Sequence, residues 1–194
     1  MRRSREDAAE TRRAIVEAAS RLIRAKGIAS VSVADVMGAV GLTVGGFYRH
    51  FRDKEALVAE AIEAASRETI DGMEKVLDRS GDSARLAAFV ERYLSPAHLS
   101  RPDRGCPVPA LAAEVSHEGE GTRAALQRAI HRAVAMLEPE ASADGGSHRR
   151  DALYALSAAV GAVVLARALR GTALADELVD AVRSALLERT RRRV

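Results

Sequence analysis

The sequence predicts an all-α protein, and three observations support that prediction. Alanine and leucine are abundant, and aromatic residues make up only 3% of the 194 residues. Apolar residues recur at the spacing of one helix face along most of the chain, whereas alternating β-branched runs between hairpin turns do not stand out. We therefore expect about nine helices, with a three-helix domain at residues 1–53 and a larger helical domain at residues 54–194.

The charge distribution favours a polyanionic partner for the N-terminal domain. The net charge of the whole chain is only +3. Residues 1–54 hold eleven Lys/Arg against six Asp/Glu, a net charge of +5, and the remainder holds nineteen against twenty-one, a net charge of −2. A basic excess of this kind attracts nucleic acid, although many charged surfaces are merely solvated.

The single cysteine excludes an intrachain disulfide framework and fits a reducing compartment. The N-terminus shows no apolar run after its arginines, as a signal peptide would. The longest apolar run, residues 152–166, looks too short and too rich in small residues for a membrane span. We therefore expect a soluble cytoplasmic protein.

The first helix is predicted at residues 8–26, with Gly27 ending it. We expect its arginines, Arg12, Arg13, Arg21 and Arg24, on the rest of its surface. Its apolar face consists of Ile15, Ala18, Ala19, Leu22 and Ile23.

A helix-turn-helix follows the first helix. Ser32 and Asp35 have the spacing of a capping box that opens a short helix, and Gly41 ends that helix. A second helix then starts with Thr43 as its N-cap, whose hydroxyl would accept a hydrogen bond from a first-turn amide.

Two successive glycines, Gly45 and Gly46, stand inside the second helix. Each costs about 0.8 to 1 kcal/mol relative to alanine, so stability does not explain the pair. Glycine permits close approach, and we interpret the pair as bringing this helix near DNA in the major groove. The alternative is that the glycines only allow tight contact with the preceding helix.

The aromatic residues of the second helix divide into two groups. Phe47 and Phe51, four residues apart, are interpreted as core anchors. Tyr48, Arg49 and His50 then lie on the more exposed arcs, where they could contact DNA.

These residues resemble the DNA-binding domain of the TetR family of bacterial transcription regulators. The resemblance covers roughly residues 10–60 and is carried by an alanine-rich helix followed by VSVADVMGAVGLTVGGFYRHFRDKEAL. It implies a two-fold dimer in which Thr43, Val44 and Gly45 face base edges. It further implies that Tyr48, His50 and Lys54 contact phosphates.

Asp53 is a further N-cap, and Lys54 follows it in the first turn of the next helix. A cation is unfavourable there by the helix macrodipole, so a nearby phosphate explains Lys54 better than stability does. The alternative is that Lys54 is simply exposed to solvent at a cost of a few tenths of a kcal/mol.

The C-terminal domain is predicted to hold six helices with an irregular, proline-rich stretch at residues 95–109. Phe89 and Tyr93, four residues apart, belong either to the core or to the lining of an effector pocket, to which we also assign Cys106 and Leu111. The apolar periodicity predicts these six helices at residues 55–78, 83–94, 109–117, 122–137, 148–169 and 174–190.

Cys106 offers a second function. If its sulfur lies at a helix N-terminus, the macrodipole lowers its pKa and makes it reactive toward oxidants and electrophiles. The alternative is a buried cysteine that acts as a small hydrophobe. The histidines show no close metal-ligand spacing and the chain has no CxxC, so we expect neither a metal nor a cofactor.

The last two helices are rich in small and apolar residues and would form a four-helix interface in a dimer, as the TetR resemblance also implies, or an intrachain core. An enzyme is not expected, because no nucleophile turn or cofactor loop accompanies Cys106. The TetR resemblance further implies that a small apolar effector binds the C-terminal domain and releases the protein from DNA. We therefore predict a homodimeric, ligand-responsive repressor that binds a pseudo-palindromic DNA operator. The alternative is a regulator switched by oxidation or alkylation of Cys106.

Overall fold

The protein is all-helical in a computed structural model that describes residues 5–80, 84–138 and 145–191. Within those ranges the chain forms helices joined by turns, and no strand occurs. The all-α prediction is therefore confirmed. The α-helices are α1 (Arg5–Lys26), α2 (Val33–Ala39), α3 (Lys54–Leu77), α4 (Arg85–Tyr93), α5 (Pro96–Ser100), α6 (Pro107–Val115), α7 (Glu120–Leu137), α8 (Gly145–Ala168) and α9 (Ala173–Arg191).

The helix ends follow the local rules that the sequence obeys. The Ser32 hydroxyl accepts from the Asp35 amide at 3.1 Å, and the Asp35 carboxylate accepts from the Ser32 amide at 2.8 Å, so the predicted capping box opens α2. Gly27 and Gly41 have φ of +88° and +70°, a backbone conformation that glycine adopts without steric cost. The Asp53 carboxylate accepts from the Ala56 amide at 2.8 Å and caps α3.

The second helix of the helix-turn-helix differs from the prediction. Residues Val44–Arg49 form a 3₁₀-helix, in which the Gly46 amide donates to the Thr43 carbonyl at 3.0 Å. Thr43 occupies the N-cap position, but its hydroxyl makes no capping bond, so that part of the prediction is wrong. Two consecutive glycines weaken the preference for a regular α-helix and permit this tighter turn.

The prolines of residues 95–109 are accommodated in short helices rather than in a wholly irregular stretch. Ser95 caps α5 by accepting from the His98 amide, and Pro96 occupies the first turn of that helix. A 3₁₀ turn, Pro102–Arg104, follows. Pro107 begins α6 two residues earlier than predicted, since proline is tolerated in a first helical turn.

The chain divides into two compact units. The first comprises Met1–Arg67 and Asp103–Ala129, and the second comprises Glu68–Pro102 and Ile130–Val194. Hence α6 and the first half of α7 belong with the N-terminal helices, in which α1 contacts both α2 and α6. The boundary between residues 53 and 54 concerns function and stays a prediction.

Each unit has its own apolar core. The first unit buries large side chains of α1, α2, the 3₁₀-helix, α3 and α6, and the second buries side chains of α4, α8 and α9. The main members in the first unit are Ile15, Ile23, Met37, Phe47, Leu57, Ile62 and Leu111, and those in the second are Phe89, Val90, Leu94, Leu156, Val163 and Leu186.

Within the second unit, arginines of α8 and α9 bind carbonyls at the end of α4 and in α5. Arg167 donates to the carbonyls of His98 at 2.8 Å and Leu99 at 3.3 Å. Arg183 donates to the Leu94 carbonyl at 2.8 Å. These bonds supply partners for carbonyls that helix ends leave without an intrahelical bond.

Helix α8 contains the apolar run of residues 152–166 and extends beyond it at both ends. Its segment His148–Ala168 is long and apolar enough to cross a membrane by length and composition, with a mean hydropathy of 1.5, and 39% of that apolar stretch is buried in the fold. A helix that packs in a globular protein meets the same criterion, and α8 packs on α9.

Candidate nucleic-acid interface

The segment Thr43–Arg49 presents one exposed surface. Tyr48 is 69% exposed, the highest value among the exposed large apolar side chains that the structure describes, and Val44 is 44% exposed. Thr43, Gly45 and Arg49 are also exposed, while Gly46, His50 and Lys54 are half-buried. The eight residues predicted to contact DNA thus include five that are open to a partner.

Two buried phenylalanines hold this surface from behind. Phe47 and Phe51 are 0% and 3% exposed, and their ring centroids lie 5.5 Å apart in a stacked arrangement. The Tyr48 ring meets the Phe47 ring edge-on at 5.2 Å. The prediction that Phe47 and Phe51 are core anchors is confirmed, and the buried pair fixes the side from which Tyr48 projects.

The glycine pair has no packing role within the described chain. A Cβ atom added at Gly45 would meet nothing within 4 Å, and one at Gly46 would meet only the Met37 methyl group at 3.6 Å, an ordinary contact. Neither glycine has a positive φ. Tight contact with the preceding helix therefore does not explain the pair, and the space in front of Gly45 is open to an external partner.

Lys54 is held by the protein rather than extended into solvent. Its Nζ donates to the Ile28 carbonyl at 2.8 Å. The alternative that Lys54 is simply solvent-exposed is therefore wrong. An ammonium group has three donors, so one bond to a carbonyl leaves others that could reach a phosphate.

The contacts of Arg12 were not predicted from the sequence. Its guanidinium lies 4.1 Å from the centroid of the Phe51 ring and donates to the His50 carbonyl and to the Glu60 carboxylate. The sequence shows only a surface arginine on α1, and it contains no local pattern that pairs Arg12 with His50.

Two carboxylates near the interface are held in their charged form. The hydroxyl and amide of Ser32 donate to Asp35 and lower the pKa of its carboxyl group. The Ala56 amide and then Arg52 lower the pKa of Asp53. Both carboxylates cap helices, so their negative charge has a structural cause.

The four residues assigned to an effector pocket are all buried. Phe89 and Tyr93 belong to the second unit, where their ring centroids lie 4.9 Å apart. Cys106, the N-cap of α6, and Leu111 belong to the first unit.

His98, which the sequence analysis did not single out, meets the Tyr93 ring edge-on at 4.6 Å. Burial lowers the pKa of His98 to about 4, and Arg167 and Arg92 act in the same direction. The ring Nδ1 donates to the Tyr93 carbonyl at 2.6 Å, a bond that raises the pKa and only partly offsets the effect of burial, so the lowered pKa leaves His98 neutral at pH 7.

Among the residues that the structure describes, no group of three or more His, Cys, Asp or Glu side chains could hold a metal ion.

The larger apolar side chains that stay exposed in α8 and α9 are Leu153, Tyr154, Val164, Leu165 and Leu174.

Two family models match the chain. The model of bacterial regulatory proteins of the tetR family matches residues 15–61, and the model of the tetracyclin repressor-like C-terminal domain matches residues 83–182. Together they cover the helix-turn-helix and most of the helices that follow it.

Curated relatives resemble the N-terminal part. The HTH-type transcriptional regulator TtgR of Pseudomonas putida is 39% identical over 64 residues, 33% of this chain and 30% of TtgR. The HTH-type transcriptional regulator AcrR of Shigella flexneri is 39% identical over 59 residues, 30% of this chain and 27% of AcrR. The match thus spans less than a third of each relative.

Solved structures share the fold over nearly the whole chain. A transcriptional regulator from Cytophaga hutchinsonii has a TM-score of 0.75 at 20% identity and covers 97% of this chain and 98% of its own. A regulator from Chloroflexus aurantiacus has a TM-score of 0.73 at 26% identity, with 93% and 94% covered. The reduced form of E. coli NemR has a TM-score of 0.74 at 18% identity, with 91% and 95% covered.

Proposed function

Because the chain belongs to the TetR family of bacterial DNA-binding transcription regulators, we propose that it is a repressor that binds a pseudo-palindromic operator as a homodimer and is released by a small apolar effector. The observation that carries the proposal is the exposure of Tyr48 and Val44 on a short helix anchored by the buried Phe47. The description of the C-terminal match, tetracyclin repressor-like, supports repression rather than activation.

In this proposal the exposed segment enters the major groove. Thr43, Val44, Gly45 and Gly46 approach the base edges, because the missing side chains at the glycines let the backbone come close. Tyr48, Arg49, His50 and Lys54 contact phosphates, which position the protein without reading sequence. Because few side chains are left to read bases, most of the binding affinity comes from contacts to the DNA phosphates, and it depends strongly on salt concentration.

Dimerisation is proposed to use the apolar side chains that α8 and α9 leave exposed. Tyr154, Gly161 and Leu165 recur on α8 at helical spacing, and nothing lies within 4 Å of a Cβ added at Gly161. A small residue at that position lets a second helix approach closely. Two helices from each subunit would then form a four-helix interface.

The effector is proposed to bind apolar residues of the helical region. Phe89 and Tyr93 are the candidate contacts in the second unit, and Cys106 and Leu111 are separate candidates in the first unit. The effector would shift α3. In the first turn of α3, Lys54 bonds to the turn between α1 and α2, and the Glu55 carboxylate accepts from the Gly121 amide at 3.0 Å. A preference of roughly 1 to 3 kcal/mol for the non-binding state is enough to release DNA.

A thiol switch is the second candidate function. Cys106 is buried, occupies the N-cap position of α6 without a capping bond from its side chain, and follows Gly105, whose carbonyl accepts from Arg24 on α1 at 2.8 Å. Modification of the sulfur would disturb a contact with α1. One structural neighbour that shares the fold, NemR, was solved in a form named reduced.

A promoter fusion tests these proposals together. The DNA upstream of the chain's own gene drives a reporter in the presence of the protein, and a panel of apolar compounds, oxidants and electrophiles is then added. Repression that apolar compounds relieve in both the native chain and Cys106→Ser supports the repressor with a reversible effector. Relief by oxidants or electrophiles that disappears in Cys106→Ser supports the thiol switch instead. Activation of the reporter by the protein would contradict repression.

A further inference from the structure

Arg12 joins three elements at the end of the exposed segment. It lies on α1, and its guanidinium donates hydrogen bonds to the carbonyl of His50 and to the carboxylate of Glu60 on α3. The guanidinium also lies over the Phe51 ring. We infer that Arg12 is a positioning residue for DNA recognition, which fixes the C-terminal end of Val44–Arg49 through the His50 carbonyl. The inference rests on the proposed DNA-facing role of that segment.

The exposed segment depends on such support because it has little stability of its own. It is a six-residue 3₁₀-helix, and it contains two glycines. Short helices gain most of their stability from tertiary contacts rather than from propensity. Phe47 anchors the middle of the segment in the core, and Arg12 provides the contact at its end, where helix carbonyls lack intrahelical partners.

The chemistry of this contact requires arginine. A planar guanidinium can donate to two acceptors in fixed directions while its face covers an aromatic ring, whereas a lysine ammonium is a point charge that cannot do all three. The Arg12 and Glu60 side chains are 37% and 44% exposed, so the ion pair itself contributes little to stability. What the arrangement supplies is the placement of the His50 backbone.

A positioning role and a phosphate contact make opposite predictions. A phosphate contact contributes equally to specific and unrelated DNA, adds about one to the salt slope and is largely retained by lysine. A positioning contact affects the fit to the operator, leaves the salt slope unchanged and is lost on substitution by lysine.

The experiment measures fluorescence anisotropy of the full chain with an operator selected from genomic fragments and with unrelated DNA, over a range of KCl concentrations. The variants are Arg12→Gln, Arg12→Lys and the matched control Arg13→Gln, which removes the same charge from an exposed neighbour on the same helix. Tyr48→Ala reports on the exposed surface itself. Thermal unfolding verifies that each variant is folded at the assay temperature, and Arg12→Lys preserves the test if Arg12→Gln unfolds.

We expect both Arg12 variants to lower operator affinity about tenfold relative to unrelated DNA, with the salt slope of the native chain. Arg13→Gln should leave the ratio of operator to unrelated affinity unchanged. The inference is overturned if Arg12→Lys retains that ratio, or if Arg12→Gln lowers both affinities by one factor. If Tyr48→Ala weakens DNA binding and the Arg12 variants do not, the inference about Arg12 is wrong but the proposed function stands. If the native chain selects no operator, the proposed function itself is wrong.

Discussion

The Nζ of Lys54 donates a hydrogen bond to the carbonyl oxygen of Ile28 at 2.8 Å. On the other side of the same turn, the Ala29 amide donates to the Glu114 carboxylate at 3.0 Å. The turn between α1 and α2 is therefore held by α3 and by α6 together. Lys54 has a structural partner in the free protein, and its role at DNA has to be separated from its role in the fold.

Lys54→Ala should change both stability and DNA binding. Loss of the bond to Ile28 should lower the free energy of unfolding by about 1 kcal/mol. Loss of the proposed phosphate contact should weaken binding to all DNA sequences and lower the salt slope by about one. Urea unfolding and anisotropy titrations in KCl measure the two effects separately.

The control is Lys75→Ala, which removes an exposed lysine from the last turn of the same helix. It should leave the salt slope unchanged. If Lys54→Ala lowers stability but keeps the affinity and salt slope of the native chain, Lys54 serves only the fold.

Gly45→Ala should separate stability from function. The added methyl group meets no atom within 4 Å, so the variant should be as stable as the native chain or more stable by up to about 1 kcal/mol. Operator affinity should nevertheless fall by at least about 1 kcal/mol, because the methyl group enters the space proposed for the base edges. Gly72→Ala on α3, which also adds a methyl group in open space, should gain similar stability and bind DNA normally. Unchanged operator affinity in Gly45→Ala would exclude the close approach.

Thr43→Ala should alter base preference without destabilising the protein. Its hydroxyl makes no capping bond, so its removal has little effect on the free energy of unfolding. Binding to a set of operators, each changed at one base pair, should show a shift of about 1 to 3 kcal/mol at one position. Ser32→Ala, which breaks the capping box of α2, should do the reverse and cost about 1 kcal/mol of stability. A uniform loss across all base pairs in Thr43→Ala would argue against base contact.

Acid should destabilise the protein through His98. Its folded pKa of about 4 lies below the usual 6.5, so the neutral ring contributes stability that is fully present above pH 6.5 and is lost as pH falls toward 4. The loss from this group should reach about 2 to 3 kcal/mol. His98→Asn, whose amide can donate to the Tyr93 carbonyl in place of Nδ1, should show a smaller decline in urea stability between pH 6.5 and about 4.5. The exposed His131→Asn serves as the control, and identical pH dependence in all three proteins would exclude His98 as the cause.

The features that the sequence predicted correctly depend on neighbours along the chain. The capping box of Ser32 and Asp35, the helix ends at Gly27 and Gly41, and the Asp53 cap each need only a few residues and a local backbone preference. The i, i+4 spacing placed Phe47 and Phe51 in the core for the same reason.

The features that the sequence did not reveal depend on residues far apart in the chain. Arg12 meets His50, Lys54 meets Ile28, and Glu114 meets Ala29 only after the helices have packed. The low pKa of His98 likewise follows from burial, which periodicity does not report for a residue in a short proline-led helix. An N-cap residue such as Thr43 does not distinguish a 3₁₀-helix from an α-helix, so the 3₁₀ form of Val44–Arg49 was not predicted.

We propose that the chain reads DNA as a two-fold dimer through the surface around Tyr48. The most direct test selects bound fragments from the genome and then measures, by sedimentation of labelled DNA, how many chains occupy each selected site. We expect inverted repeats that bind two chains, or a pair of dimers. We also expect that Leu165→Asp on the exposed face of α8 lowers dimer formation and operator affinity together. Single chains on asymmetric sites, or binding to all fragments alike with only a salt dependence, would contradict the proposal.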